Sequence, residues 1–347
     1  MTSGEKLVVG IDIGTSGVRA VAVTEALEVR ATGSAKLSEH SALHRDPAGW
    51  RAAMASAVAR MLDGVKSGRI VAIAIDGTSG TMLPVDGAGR PLATPMMYND
   101  PVSDVAVLEA VKRHAPRESA AHGSTSGLAK AIVFQGIAGV SRIIHQADWL
   151  AGLLTGRFGV SDENNALKTG YDPVSRQWPE WIADTGARID LLPEVLAAGT
   201  PFGQVSAAAT LEFGLPEGAL VATGTTDGCA SFLATGADRP GDGVSALGTT
   251  LTVKMLSDRP LFAPEYGLYS HRIGDLWLAG GASNSGGAVL AQHFDVERIA
   301  ALSEHIDPAT NTGLDYYPLP RQGERFPIND PCCSRGWCRA RQAMQTS

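Results

Sequence analysis

The chain reads as an α/β protein of two domains, and three features predict it. A hairpin of β-branched runs, Leu7–Ile11 and Val18–Val23, opens the chain around the turn Asp12-Ile13-Gly14-Thr15-Ser16-Gly17. The continuous apolar run Ile70–Ile75 has the pattern of a strand buried on both faces, as in a parallel or mixed sheet. A second strand–turn–strand, Val244–Leu256 around Gly248-Thr249-Thr250, echoes the first across a boundary placed at Ala234–Gly243. A duplicated fold would set one such hairpin in each half, both at the cleft between domains. The 347 residues are enough for two cores, and 40 glycines suit tight turns and ligand loops.

Composition narrows the class. The chain is 44% hydrophobic and 19% charged, and its net charge of −7 argues against a nucleic-acid or anionic-membrane surface. No apolar run reaches membrane-spanning length, and MTSGEK lacks a basic-then-apolar signal pattern, so a cytoplasmic protein is expected. Of four cysteines, Cys332, Cys333 and Cys338 crowd the C-terminal end, unlike a secreted disulfide framework. Cys229 reads as a small buried residue.

In the first turn, Gly14 and Gly17 would let the backbone fold sharply and aim N–H groups at one point, an anion nest. Thr15 and Ser16 add hydroxyl donors, and Asp12 has the placement to hold a phosphate-bound Mg²⁺ through water. The same residues also make an ordinary glycine-rich hairpin. Val29–Leu37 follows as a third strand. Asp46-Pro47 has the chemistry of a helix N-cap and first position, with Trp50, Met54, Ala57, Met61 and Val65 on one face. Ile70–Ile75 runs into Asp76-Gly77-Thr78-Ser79-Gly80-Thr81, again an acid, glycines and hydroxyls. Asp86-Gly87-Ala88-Gly89 is a plain turn. Pro101–His114 reads as a short helix, Ser126–Leu154 as a long, mostly helical region, and Gly159–Arg188 as polar and loop-rich.

Later in the chain, Ala219–Thr223 is a strand leading through Gly224-Thr225-Thr226 to Asp227 and a helix to Leu233. Asp227 is a candidate general base, or simply an N-cap. Tyr266–His271 and Leu276–Ala279 read as strands. Gly280–Gly287 opens a helix expected to run to about Glu304, either as an anion or ribose site or, preferably, as a tight strand-to-helix turn.

Asp12-x-Gly14-Thr15, Gly224-Thr225-Thr226-Asp227 and Leu247-Gly248-Thr249-Thr250 together resemble the FGGY family of carbohydrate kinases. That resemblance implies two RNase H-like domains of the actin-like ATPase superfamily, with ATP clamped between them. AIDGTSGT (74–81), STSGLAK (124–130), HQADWL (145–150), NALKTGYD (165–172) and GLDYYPLPRQGERFPINDP (313–331) look like the plant and cyanobacterial D-ribulose kinase branch. The implied domains are a sugar-binding domain over 1–234, part of a nucleotide-binding domain over 235–331, and a tail at 332–347 without a counterpart. By the resemblance Asp227 is the general base and touches the sugar, and Asp12 contacts sugar and metal. Thr78 and Ser79 face the sugar, Gly14, Thr15 and Ser16 form one phosphate loop, and Gly248, Thr249 and Thr250 the other. Lys130, Asn165 and Lys168 match the branch without an implied role.

The implied reaction is ATP- and Mg²⁺-dependent phosphorylation of a ketopentose, D-ribulose to D-ribulose 5-phosphate, with neither nucleic acid nor membrane as partner and no oligomeric state implied. The alternatives are a xylulose kinase, a remnant that only binds sugar, and an actin-like ATPase without a sugar substrate. Xylulose kinases often carry Gln-Met-His-Gly where this chain has Gly77-Thr78-Ser79-Gly80, which points towards ribulose. Tyr98-Asn99-Asp100-Pro101-Val102 lacks the arginine that often ends the family's aromatic-acid element, so nothing is carried over there. The match stops at Pro331. Cys332-Cys333-x₄-Cys338 without a fourth ligand is a poor zinc site, and the tail is read as a shifted reading frame with a premature stop. On that expectation the second domain is incomplete, the adenosine pocket is missing, and Val253, Met255, Leu278 and Val289 become an exposed apolar patch.

Overall fold

The computed structural model describes residues 5–311, 313, 316–334 and 336. Residues 1–4 and most of the tail read as lacking a counterpart (335 and 337–347, with Cys338) lie outside the described residues. Packing divides the chain into two units. One holds the chain up to Ser231 together with His271–Gly274, and the other holds Phe232–Ser270 and the chain from Asp275 onward.

The first unit begins with the expected hairpin, β1 (Leu7–Ile13) and β2 (Gly17–Thr24), followed by β3 (Val29–Lys36). Helix α1 (Pro47–Leu62) starts where the sequence places it, with the Asp46 carboxylate accepting from the Ala48 N–H. Its face of Trp50, Met54, Ala57 and Met61 is fully buried, whereas Val65 lies past the helix end. Next come β4 (Ile70–Gly77), β5 (Met82–Val85), α2 (Val105–His114, capped by Asp104) and α3 (Gly127–Phe134). The unit continues through β6 (Arg142–His145), α4 (Gln146–Thr155), β7 (Val160–Asp162), α5 (Trp181–Asp184), β8 (Glu194–Leu196) and β9 (Pro201–Gln204). It closes with α6 (Ala207–Phe213), β10 (Leu220–Ala222) and the start of α7 (Asp227–Leu233).

The main sheet has the order β3-β2-β1-β4-β10-β9. Strands β1, β4 and β10 run parallel, and the rest pair antiparallel. Leu7, Val9, Ile11 and Ile13 face one side and join Trp50 of α1 and Trp149 of α4 in one core, the two indoles meeting edge to face at 6.3 Å. The other side is open: Val8 and Val71 are each 38% exposed. The run Ile70–Ile75 is therefore fully buried on one face rather than both, and Asp12 and Asp76 alternate onto the other face, where both are partly buried.

The region read as one long helical stretch is two helices separated by β6. The first helix stops at Phe134, Gly139 in the turns that follow adopts φ +82°, and Ile143 and Ile144 pair with Pro84 and Leu83 of β5. In the second unit β11 (Gly243–Leu247) and β12 (Leu251–Ser257) form the expected hairpin. With β13 (Tyr269–Ile273) and β14 (Leu276–Ala282) they make a sheet of order β11-β12-β14-β13. The helix expected to reach Glu304 is instead α8 (Gly287–Ala291) and α9 (Val296–Ser303), the latter restarted by an Asp295 cap. Leu278 and Val289 are 1% and 5% exposed, so the expected apolar patch is not formed by them. Met255 is half exposed.

Candidate functional site

Three parallel strands of the first unit each end near an acid. Asp12 and Asp76 are register partners across β1 and β4. Beyond the last β4–β10 pair, Ala74 with Ala222, an isolated parallel bridge joins Gly77 to Thr226, the residue before Asp227. The carboxyl ends of parallel strands are where open α/β sheets place ligands, and here they bring three carboxyl groups together. Burial, followed by the charges and hydrogen bonding of Asp12 and then the charges of Asp227 and Asp162, pushes the Asp76 carboxyl up to about 8. Its Oδ1 is buried with no hydrogen-bond partner among the described residues. Arg19, opposite Asp12 on β2, donates to the Asp12 carboxylate at 3.2 Å.

A cavity of about 460 Å³ opens at these strand ends. It is lined by Asp12, Gly14, Thr15, Ser16, Thr78, Ser79 and Asp227, together with Tyr98, Lys168 and Ser231. Every first-unit residue to which the resemblance gives a catalytic or binding role lines this one hollow. Asp227 does not serve as the helix cap. Thr226 does so, its hydroxyl accepting from the Cys229 N–H at 3.3 Å, while Asp227 occupies the first helical position. Gly224 permits this approach: a Cβ there would lie 1.8 Å from the Ile75 carbonyl oxygen.

The turn glycines act differently from the sequence reading. Neither Gly14 nor Gly17 takes a left-handed conformation, and the turn is closed by Gly14 N–H donating to Gly17 O at 3.0 Å. Gly17 is required by contact, because a Cβ would lie 2.6 Å from the Ala35 carbonyl on β3. The two hydroxyls of the next turn also differ. Thr78 is committed inward, 2.6 Å from the Thr81 hydroxyl and 3.2 Å from Gln146 Oε1, whereas Ser79 Oγ is buried without a hydrogen-bond partner among the described residues.

The polar stretch after Gly159 is not a solvated loop. Ser161, Asp162, Glu163, Asn164 and Asn165 are all 2% exposed or less. Asp162 accepts from the backbone N–H groups of Asn164 and Asn165 and from the Asn165 amide. Burial and the Asp148 charge, opposed by those donors, push its carboxyl up to about 7. Asn164 Nδ2 then donates to Thr225 Oγ1 at 3.0 Å and to the Arg272 carbonyl at 2.8 Å, and Asn165 Nδ2 donates to the Thr225 carbonyl at 3.2 Å. This network fixes the segment entering Asp227. Its marks in the sequence are an unusual run of polar residues, Ser161 to Asn165, and the match of Asn165 to the branch, which carries no implied role.

Gly248, Thr249 and Thr250 form the bend between β11 and β12 in the second unit. Its carbonyls are engaged by α8: Gly287 N–H donates to Gly248 O at 2.8 Å and Ala288 N–H to Thr249 O at 3.2 Å. Those helix N-terminal amides are thus spent on the hairpin, as the tight-turn reading of Gly280–Gly287 requires. Among the described residues no group of three or more His, Cys, Asp or Glu is arranged to hold a metal, and no helix is long and apolar enough to cross a membrane.

The architecture has counterparts among solved structures. The structure superposes on a xylulose kinase from Rhodospirillum rubrum with TM-score 0.78 at 24% identity, covering 94% of this chain and 72% of that one. It superposes on a xyloylose kinase from Brucella ovis with TM-score 0.80 at 22% identity, covering 96% and 72%. The fold is that of these solved sugar kinases. In sequence the chain is similar to a xylulose kinase from Streptomyces rubiginosus, 29% identical over 269 residues, which is 73% of this chain. It spans about half of that relative, 55% of its length. No family model matches.

Proposed function

We propose that the chain acts as an ATP-dependent FGGY-type sugar kinase on a ketopentose, transferring phosphate to the terminal hydroxyl of D-ribulose. The observation that carries this reading is the single cavity into which Asp12, Gly14–Ser16, Thr78–Ser79 and Asp227 all open. Phosphoryl transfer needs a positioned base more than a strong one. Asp227, set by Thr226 and the Asn164–Asn165 network, takes the proton of the attacking hydroxyl. Ser79 supplies an uncommitted hydroxyl to the sugar. Gly14, Thr15 and Ser16 hold phosphate oxygens, and Gly248, Thr249 and Thr250 are the second phosphate turn, within a nucleotide-binding region from 235 to 331. A cytoplasmic setting accords with this chemistry.

Mg²⁺ suits the donor set. The ion usually binds one or two carboxylates together with substrate phosphates and water. Asp12 offers one carboxylate, and Asp76 beside it has a buried oxygen without a hydrogen-bond partner among the described residues. Asp12 would hold the ion, which when bound with nucleotide would supply charge neutralisation at the phosphates.

The names of the relatives favour xylulose as a second reading, while the hydroxyl turn Gly77-Thr78-Ser79-Gly80 favours ribulose. ADP-coupled turnover on a panel of ketoses decides. D-ribulose is expected to give the highest kcat/KM; a higher value for D-xylulose reverses the substrate, and ATP hydrolysis indifferent to every sugar removes the kinase reading. Asp227→Ala is expected to lower kcat by about 10³-fold while leaving sugar binding by calorimetry in place. Retained turnover would remove Asp227 from the mechanism.

A further inference from the structure

Lys130, on α3, is fully buried, with 0% of its surface exposed. Burial pushes its ammonium down to about 8, opposed by the Asp100 charge. Its Nζ donates to the Gly80 carbonyl at 2.8 Å and the Met97 carbonyl at 2.6 Å. These carbonyls belong to two loops, and both loops line the cavity. Gly80 follows Ser79, and Met97 precedes Tyr98. The same loops meet again where the Tyr98 N–H donates to Thr81 Oγ1 at 3.0 Å, with Thr81 Oγ1 also 2.6 Å from the Thr78 hydroxyl. The second loop is pinned from behind by Asp100, which accepts from the Met97 N–H at 2.7 Å and pairs with Arg45 at 2.8 Å. An apolar side chain of similar length would fill the space of Lys130 without desolvating a charge, but it would leave the Gly80 carbonyl without its donor and the Met97 carbonyl with the Asp100 N–H alone, at 3.0 Å.

We propose that Lys130 is a positioning residue: it clamps the Thr78–Thr81 turn to the Met97–Tyr98 loop, so that Ser79 and Tyr98 present a fixed hydroxyl-binding wall to a polyhydroxylated substrate. Affinity for the sugar, not the transfer step, depends on the clamp. The identity of the ligand rests on the kinase reading above; the clamp itself does not.

Two variants of the full chain test it. Lys130→Met removes the donors at constant length, and Thr81→Val removes the Tyr98 acceptor without touching a buried charge, so it decides even where Lys130→Met fails to fold. Each is expected to raise the D-ribulose KM by about tenfold or more, with kcat and the ATP KM within about twofold of the parent. Each is also expected to speed amide exchange at Tyr98, while exchange at Asp227 is unchanged. Unchanged sugar KM and Tyr98 exchange in both variants overturns the clamp. So does an even loss of kcat and of both affinities tracking a fall in melting temperature, which marks a merely structural lysine. If the parent phosphorylates no ketose, the kinase reading fails alone, and Tyr98 exchange in the variants still decides the clamp.

Discussion

Asp76 shows how one residue records its surroundings. Its neighbours Asp12, Asp227 and Asp162 come from three other segments of the chain, and with burial they raise its carboxyl from 3.8 to about 8. The folded protein therefore keeps a proton that the unfolded chain gives up near pH 4. Between those values the unfolded state binds fewer protons than the native state, so stability falls as pH rises. Asp76→Asn removes the titration and keeps the shape. In metal-free protein, the loss of unfolding free energy between pH 5 and pH 8 is expected to be smaller in Asp76→Asn than in the parent, by on the order of 2 kcal/mol. Parallel stability curves for the two proteins would sink this account. The acid at the end of β4 is plain in the sequence, but its pairing with Asp12 is a matter of register, which the local pattern of either strand does not carry.

At the scale of elements, what was legible is what local chemistry decides. β-branched runs around glycine turns gave β1–β2 and β11–β12, and Asp46-Pro47 gave the start of α1. What was not legible depends on distant partners. β6 is four residues long and is a strand because β5, far back in the chain, pairs with it. Asp162, Asn164 and Asn165 look like loop residues because polar side chains are usually exposed. In the interior Thr225 and Arg272 accept from Asn164 and Asn165, which in turn donate to Asp162. The same long-range logic governs Gly224, whose absent side chain lets the β10–α7 connection lie against β4. Gly224→Ala would force a methyl group to within 1.8 Å of the Ile75 carbonyl oxygen, and backbone cannot swing aside as a flexible side chain can. A loss of about 3 kcal/mol is expected, measured by urea unfolding, with turnover falling further than folded fraction because Thr225–Asp227 is displaced. Near-parent stability and activity in Gly224→Ala would mean that the connection is loosely held.

For the whole molecule, the two units carry different parts of the candidate chemistry. The acids, the first turn and the hydroxyl turn all belong to the unit ending at Ser231, whereas Gly248, Thr249 and Thr250 belong to the other. If the first unit alone forms the sugar site, a ketose should bind without nucleotide. A ligand at 100 times its Kd stabilises the native state by about 2.7 kcal/mol, enough to read as a rise in melting temperature. D-ribulose without ATP is expected to give that rise in the parent and equally in a Thr249→Val, Thr250→Val double variant, because neither threonine lies in the unit that holds the cavity. The same double variant is expected to raise the KM for ATP by about tenfold, since two hydroxyl donors to phosphate are gone. The pattern to look for is separation: sugar stabilisation untouched, nucleotide affinity reduced. Loss of the ribulose-induced shift in the double variant would show that sugar binding draws on the second unit's turn, and would end the assignment of one substrate to each.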